Sequence, residues 1–166
     1  MSIQFPPFRA DVVGSFLRPA ELKEARAKFA QGKIDAAELK QVEDRCIASL
    51  IEKQKAAGLH TINDGEFRRS YWHLDFMWGF NGVEHIELDH GSLRLTGKIS
   101  GENHPFVEHF KFVKQFESEG FVARQTIPAP AQFYAELYRE DNGKNTDAVY
   151  PDHEELSVSY THLTLP

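Results

Sequence analysis

The chain has 166 residues, with 19 Lys and Arg against 25 Asp and Glu and a formal net charge of −6. That acidic balance, without any compensating basic stripe, argues against nucleic acid or an anionic membrane surface as partner, because both require a surplus of Lys and Arg. Hydrophobic residues at 41% and aromatics at 12%, including 13 Phe, supply enough apolar side chain for a core and exclude disorder by composition.

Residues 9–16, Arg-Ala-Asp-Val-Val-Gly-Ser-Phe, read as a short strand that breaks at Gly14, where a backbone turn or a close approach to a ligand needs no side chain. Pro19 suits a first helical turn, and Leu22, Ala25 and Phe29 follow at helical spacing before Gly32 stops the run. The clearest helix begins at Asp35, an N-cap with Glu38 three residues on, and ends at Gly58. Leu39, Val42, Cys46, Ile47, Leu50 and Ile51 form its apolar face, so Cys46, the lone cysteine, reads as a small buried hydrophobe. One cysteine also excludes a disulfide framework or a Cys-rich zinc cluster within these residues. The start has no secretory leader pattern, and no run approaches the roughly 18 apolar residues of a spanning helix. A cytoplasmic protein is expected.

Leu59 to Asp64 reads as a second short strand ending in Asp64-Gly65-Glu66, which sets polar groups at its carboxyl end, the edge where parallel α/β sheets bind ligands. The aromatic stretch 71–80 suggests a lid or pocket wall, with Trp72, His73 and Asp64 as candidates for lining a pocket. Alternation around Leu93, Leu95 and Ile99 predicts an inserted hairpin, and Phe106, Phe110, Val113 and Phe116 return to helical spacing. Phe121 to Ile127 forms a third predicted strand, stopped by Pro128-Ala-Pro130; a short helix over 131–139 follows, and another opens at Asp152. His85, His90, His104 and His109, paired at spacings of five, read as surface residues. The alternation of strands and helices predicts an α/β fold with a parallel sheet.

Several ordered motifs resemble the catalytic barrel of cobalamin-independent methionine synthase, and above all the shorter stand-alone proteins similar to it. These are Val12-Val-Gly-Ser-Phe16, the helix through Leu22 and Arg26, Gly58-Leu with Asn63-Asp-Gly-Glu-Phe-Arg-Arg69, and Thr126-Ile-Pro-Ala-Pro130. The resemblance runs over roughly residues 9–156 and implies about the first three strands of an incomplete TIM (β/α)8 barrel with an inserted hairpin. Its implied chemistry is methyl transfer to the zinc-bound thiolate of homocysteine, giving methionine. Zinc suits that task, since a thiol of pKa ~8.5 is mostly protonated at neutral pH until a cation holds it as thiolate. The implied partners are a small amino acid thiol and a methyl donor.

Carried over by motif, Val13, Gly14 and Ser15 match the segment that holds the amino acid substrate, and Glu66 matches the carboxylate that binds its amino group. A salt bridge to Arg68 or Arg69 is the structural alternative for Glu66, and a turn hydrogen bond that for Ser15. No catalytic residue and no metal ligand is assigned here, because the family's cysteine, histidine and glutamate zinc ligands and its proton-donating histidine have no counterpart in these residues. The chain is accordingly expected to be the N-terminal part, 1–156, of a longer protein and inactive alone. Residues 157–166 are expected to be a non-native tail: helix formers give way to β-branched and hydroxyl residues, and Val158 to Pro166, back-translated, resembles a sequencing-library adapter. Residues 93–99 do not reproduce the family's folate-contacting pattern. A related barrel lyase of the porphyrinogen decarboxylase type, with Arg68 and Arg69 on substrate carboxylates, and a non-catalytic amino acid binding module are the competing readings.

Overall fold

The computed structural model describes residues 12–87, 91–139 and 142–161. Residues 9–11 of the first predicted strand, His90 and residues 162–166 of the expected tail lie outside them. In chain order the elements are α1 (Ala20–Ala30), α2 (Ala36–Ala56), β1 (Thr61–Ile62), α3 (Leu74–Met77), β2 (Asn81–Ile86), β3 (Ser92–Ser100), α4 (Pro105–Lys114), β4 (Val122–Ala123), α5 (Pro130–Leu137), α6 (Asn142–Val149) and α7 (His153–Thr161).

Local chemistry sets the helical pair at the start. The capping box of α2 forms as its sequence predicts: Glu38 N donates to Asp35 Oδ1 at 2.8 Å, and Asp35 N donates to Glu38 Oε2 at 3.0 Å. The apolar stripe of α2 buries Cys46, Ile47, Leu50 and Ile51 in a cluster with Leu22 of α1. Cys46 is 6% exposed, and burial pushes its thiol above the ordinary value, the opposite of what a reactive thiolate needs.

The chain divides into two compact units. The first comprises Met1–Arg69 and His109–Thr126. Here β1 and β4 pair in parallel, Thr61 with Val122 and Ile62 with Ala123. Ile62, Phe67 and Val113 join the core of this unit against the α1 and α2 residues. The second comprises Ser70–Glu108 and Ile127–Pro166. Its β2 and β3 form the predicted antiparallel hairpin, and Leu74, Phe76, Phe80, Leu93, Phe106, Phe133 and Leu137 are among the residues that fill its core. The described strands thus make two two-stranded sheets, an α/β arrangement with no closed barrel among the described residues. No described helix is long and apolar enough to cross a membrane.

Three expectations need correction, and two helical stretches go beyond what the sequence predicts. Residues 12–16 form no strand; the Val12 and Val13 carbonyls accept from Arg124 Nη2 instead of joining a ladder. The aromatic stretch 71–80 is chiefly core and not a lid, because α3 turns Leu74, Phe76 and Met77 inward and Phe80 follows them. His104 is 1% exposed and not at the surface. Helix α6 has no sequence signal, since Asn and Gly are poor helix formers. Tertiary bonds hold it: Thr146 Oγ1 donates to the Leu137 carbonyl, and Asn145 pairs with both backbone groups of Leu95. Finally, α7 continues to Thr161. The weak propensity cost of its Ser and Val, tenths of a kcal/mol per residue, is small beside burying Leu156 completely.

Candidate functional site

The site is built at the carboxyl end of β1. Gln54, buried on α2, brackets the backbone of Asn63, donating to its carbonyl at 2.8 Å and accepting from its N–H at 3.1 Å. Two successive side-chain turns follow: Gly65 N donates to Asn63 Oδ1 at 2.8 Å, and Glu66 N donates to Asp64 Oδ1 at 2.9 Å. The chain thereby enters the left-handed region twice, at Gly65 (φ 64) and Glu66 (φ 58). Glycine is required at 65, because a Cβ there would lie 2.4 Å from Leu50 Cδ2. At Glu66 the conformation costs of order 1 kcal/mol and persists because the surroundings over-determine it. Arg18 Nη2 supplies much of that constraint, donating to the carbonyls of Glu66 at 2.8 Å and Arg69 at 2.7 Å.

The carboxylate of Glu66 is divided in its use. Its Oε1 accepts from Arg69 Nη1 at 3.2 Å and from the Thr126 hydroxyl at 3.1 Å. Among the described residues nothing donates to its Oε2. Arg69, 3% exposed, also donates through Nη2 to the carbonyl of Thr126 and to its hydroxyl, closing a three-residue ring. Gly14 (φ 151) lies against this ring, and a Cβ there would meet Thr126 Cγ2 at 2.7 Å and Oγ1 at 2.9 Å. The absence of a side chain is what admits the Val13-Gly14-Ser15 segment beside Thr126.

Of the residues expected from the sequence, the first unit therefore brings Gly14 and Glu66 together through Thr126. Val13 is 91% exposed and Ser15 is exposed. Asp64, 2% exposed, keeps Oδ2 buried without a hydrogen-bond partner among the described residues, as Asn63 does its Nδ2 and Gln125, beyond β4, both of its amide atoms. The salt-bridge alternative for Glu66 holds for Arg69 at one oxygen. Arg68 instead turns to α2, pairing with Glu43 at 2.9 Å and with Asp44. Burial pushes the Glu43 carboxyl up against the pull of Arg68 and Arg26. Burial acts upward on Asp44 as well, but hydrogen bonds from Arg68 and Lys40 leave it below the usual carboxylate range.

Trp72 and His73 belong to the second unit. Trp72 is 52% exposed, with its ring centroid 4.5 Å from that of His73. His73 Nε2 lies 3.3 Å from Glu136 Oε1, and that carboxylate also accepts from Gln132 and Arg139. His73 Nδ1 is buried without a partner among the described residues. Sequence reasoning passed over Glu136, Arg18 and Thr126 as site residues. Thr126 had a usable signal, a hydroxyl at the end of a strand just before Pro128; Arg18 had none.

No group of three or more His, Cys, Asp or Glu side chains among the described residues is placed to hold a metal ion. With Cys46 packed in the α1/α2 core, the donor set present does not fit zinc.

Comparison with known proteins agrees with the motifs. The family model "Cobalamin-independent synthase, Catalytic domain" matches residues 8–93. Two uncharacterized Bacillus subtilis proteins are similar: YxjH is 38% identical over 161 residues, covering 90% of this chain and 41% of its own, and YxjG is 37% identical over 152 residues, covering 84% and 40%. The solved structure of a Listeria monocytogenes protein assigned as a vitamin-B12-independent methionine synthase is 38% identical with a TM-score of 0.71, over 95% of this chain and 50% of that one. The chain thus spans about two fifths of the length of the curated relatives it matches. The ordered motifs, the family match across just over half the residues and the shared fold establish that the chain belongs to the cobalamin-independent methionine-synthase-like family, as a partial counterpart of its longer members.

Proposed function

We propose that the turn at Glu66 holds the α-ammonium group of an amino acid thiol, homocysteine or a close analogue, within an S-methyltransferase of the methionine synthase type. The observation that carries this reading is the divided carboxylate: Oε1 is committed to Arg69 and Thr126, while Oε2 is without a donor among the described residues. An ammonium there gains a charge-assisted hydrogen bond from an acceptor already fixed in place. Val13, Gly14 and Ser15, with Gly14 against Thr126, are read as the segment flanking that amino acid, and Asp64 as part of the polar lining. Trp72 and His73 lie in the second unit and are read as candidate pocket residues of that unit taken by itself.

In the same reading β1, β4 and the segment before Phe16 are about the first three strands of a (β/α)8 barrel, and the β2–β3 hairpin is an insertion. Zinc, which the family implies, has no fitting donor set among the described residues, so the reading rests on amino acid recognition. A lyase acting on several substrate carboxylates is disfavoured by the same geometry, since Arg68 and Arg69, the cations it needs, are already paired with Glu43, Asp44 and Glu66.

The test is calorimetric titration of the intact gene product carrying this sequence with L-homocysteine and L-methionine. Glu66→Gln is expected to weaken binding by roughly ten- to a hundredfold, the worth of one hydrogen bond to a charged group. Unchanged affinity overturns the assignment. Methyl transfer to homocysteine by the wild-type protein separates a methyltransferase from a binding module.

A further inference from the structure

We infer that Thr126 and Arg69 are positioning residues that fix which oxygen of Glu66 meets the ligand, and so make the site selective for a single-pronged cation, a primary ammonium. The inference rests on the ammonium-binding reading of Glu66 and adds the residues that enforce it.

A free carboxylate presents two equivalent oxygens and rotates between them, and it takes a guanidinium fork as readily as an ammonium. At Glu66 that equivalence is broken. Arg69 Nη1 at 3.2 Å and the Thr126 hydroxyl at 3.1 Å both converge on Oε1. The Thr126 hydroxyl also accepts from Arg69 Nη2 at 3.3 Å, so its hydrogen is directed at Glu66 and its polarity is set by the arginine behind it. With Oε1 saturated, a two-pronged donor finds one acceptor where it needs two, whereas an ammonium needs only Oε2.

The backbone of the turn offers no competing anion site. The N–H groups of Gly65 and Glu66, which two successive left-handed residues would otherwise turn towards a bound anion, are used by Asn63 Oδ1 and Asp64 Oδ1. Gly14 adds a steric element, since its missing Cβ leaves the space that Thr126 Cγ2 and Oγ1 occupy. The hydroxyl is therefore held from three sides: by Arg69, by the backbone that carries it beyond β4 and by the Gly14 backbone.

The experiment uses the intact gene product and two probes, L-methionine and its desamino analogue 4-(methylthio)butanoate, titrated calorimetrically against wild type, Thr126→Val and Thr126→Ser. Thr126→Val keeps the shape and removes the hydroxyl. It is expected to reduce the preference for L-methionine over the desamino probe by about tenfold, the worth of one hydrogen bond to a charged group, while affinity for the desamino probe holds. Thr126→Ser restores the preference. Equal weakening of both probes by Thr126→Val, or no change in either, overturns the positioning role and leaves the reading of Glu66 standing. A wild-type protein with no preference for L-methionine defeats that reading, and the present inference with it.

Discussion

The first unit buries charge, and the second buries rings. At the end of β1 and along α2, Arg18, Arg68 and Arg69 meet the carboxylates of Glu43, Asp44 and Glu66 or the carbonyls of the turn, and Asn63, Asp64 and Gln125 keep buried polar atoms without partners among the described residues. In the second unit Phe76, Phe80, Phe106 and Phe133 pack edge to face or stacked around His104, whose two nitrogens are both satisfied. His104 Nε2 donates to the Phe76 carbonyl at 2.8 Å, and Nδ1 accepts from Phe106 N at 3.2 Å. The difference separates two meanings of a buried polar group. A satisfied one, such as His104, locks packing; one without a partner among the described residues costs roughly 1–3 kcal/mol of desolvation and calls for an explanation of its own. His73 Nδ1 is the second unit's own instance of the latter.

The comparison can be broken most forcefully at Phe76. Phe76→Ala removes a ring from between Phe80, Phe106 and His104 and is expected to cost the second unit about 3–5 kcal/mol. Both tryptophans, Trp72 and Trp78, lie in that unit, so their fluorescence in a urea titration reads it directly. A loss below about 1 kcal/mol would mean that the aromatic core is not what holds this unit.

Next in size is Arg68→Met in the first unit. It leaves Glu43, 8% exposed, beside Asp44 with the longer 3.6 Å contact to Arg26, and breaking such a pair from one side costs up to about 3 kcal/mol. Hydrogen exchange along α2 measures it, and adding Glu43→Gln is expected to return most of the loss. No recovery in the double variant would show that Arg68 acts by packing, through its place over the Phe112 ring, and not by charge.

The smallest effect expected is the pH response of His104. Burial pushes its pKa below the ordinary value, against the raising influence of its bond to the Phe76 carbonyl. The unfolded chain therefore takes up the proton first. Stability from this group is complete above the unfolded value of about 6.5 and declines as pH falls from there through the folded-state value. The urea midpoint of the tryptophan transition is expected to follow that course and to flatten in His104→Leu. A midpoint that falls equally in the variant would place the acid sensitivity elsewhere.

Much of the local structure was legible in the residues. Asp35 with Glu38 announced the start of α2 because a capping box is chemistry within four residues, and the spacing of Cys46, Ile47, Leu50 and Ile51 gave its buried face for the same reason. The Leu93, Leu95 and Ile99 alternation gave β3. Helix α6 was not legible, since its Asn, Gly and Thr favour other conformations until Leu95 and Leu137 supply hydrogen bonds from a distance. His104 was misread from its spacing to His109, because burial depends on what packs over a residue and not on its neighbours in sequence.

By itself, the sequence determined the acidic, single-cysteine character of the chain, its main helices and hairpin, and, through Asn63 to Arg69 and Thr126 to Pro130, its family. Those are properties of short segments, fixed by local backbone chemistry and by residue type. Only the tertiary structure decided that Arg69 and not Arg68 meets Glu66, that Thr126 completes the ring, and that Gly14 is a glycine on account of Thr126. Each of those facts joins residues made neighbours by parallel pairing or by a turn held in the left-handed region, and a hydrogen bond about 3 Å long depends on that meeting in space, which no spacing along the chain encodes.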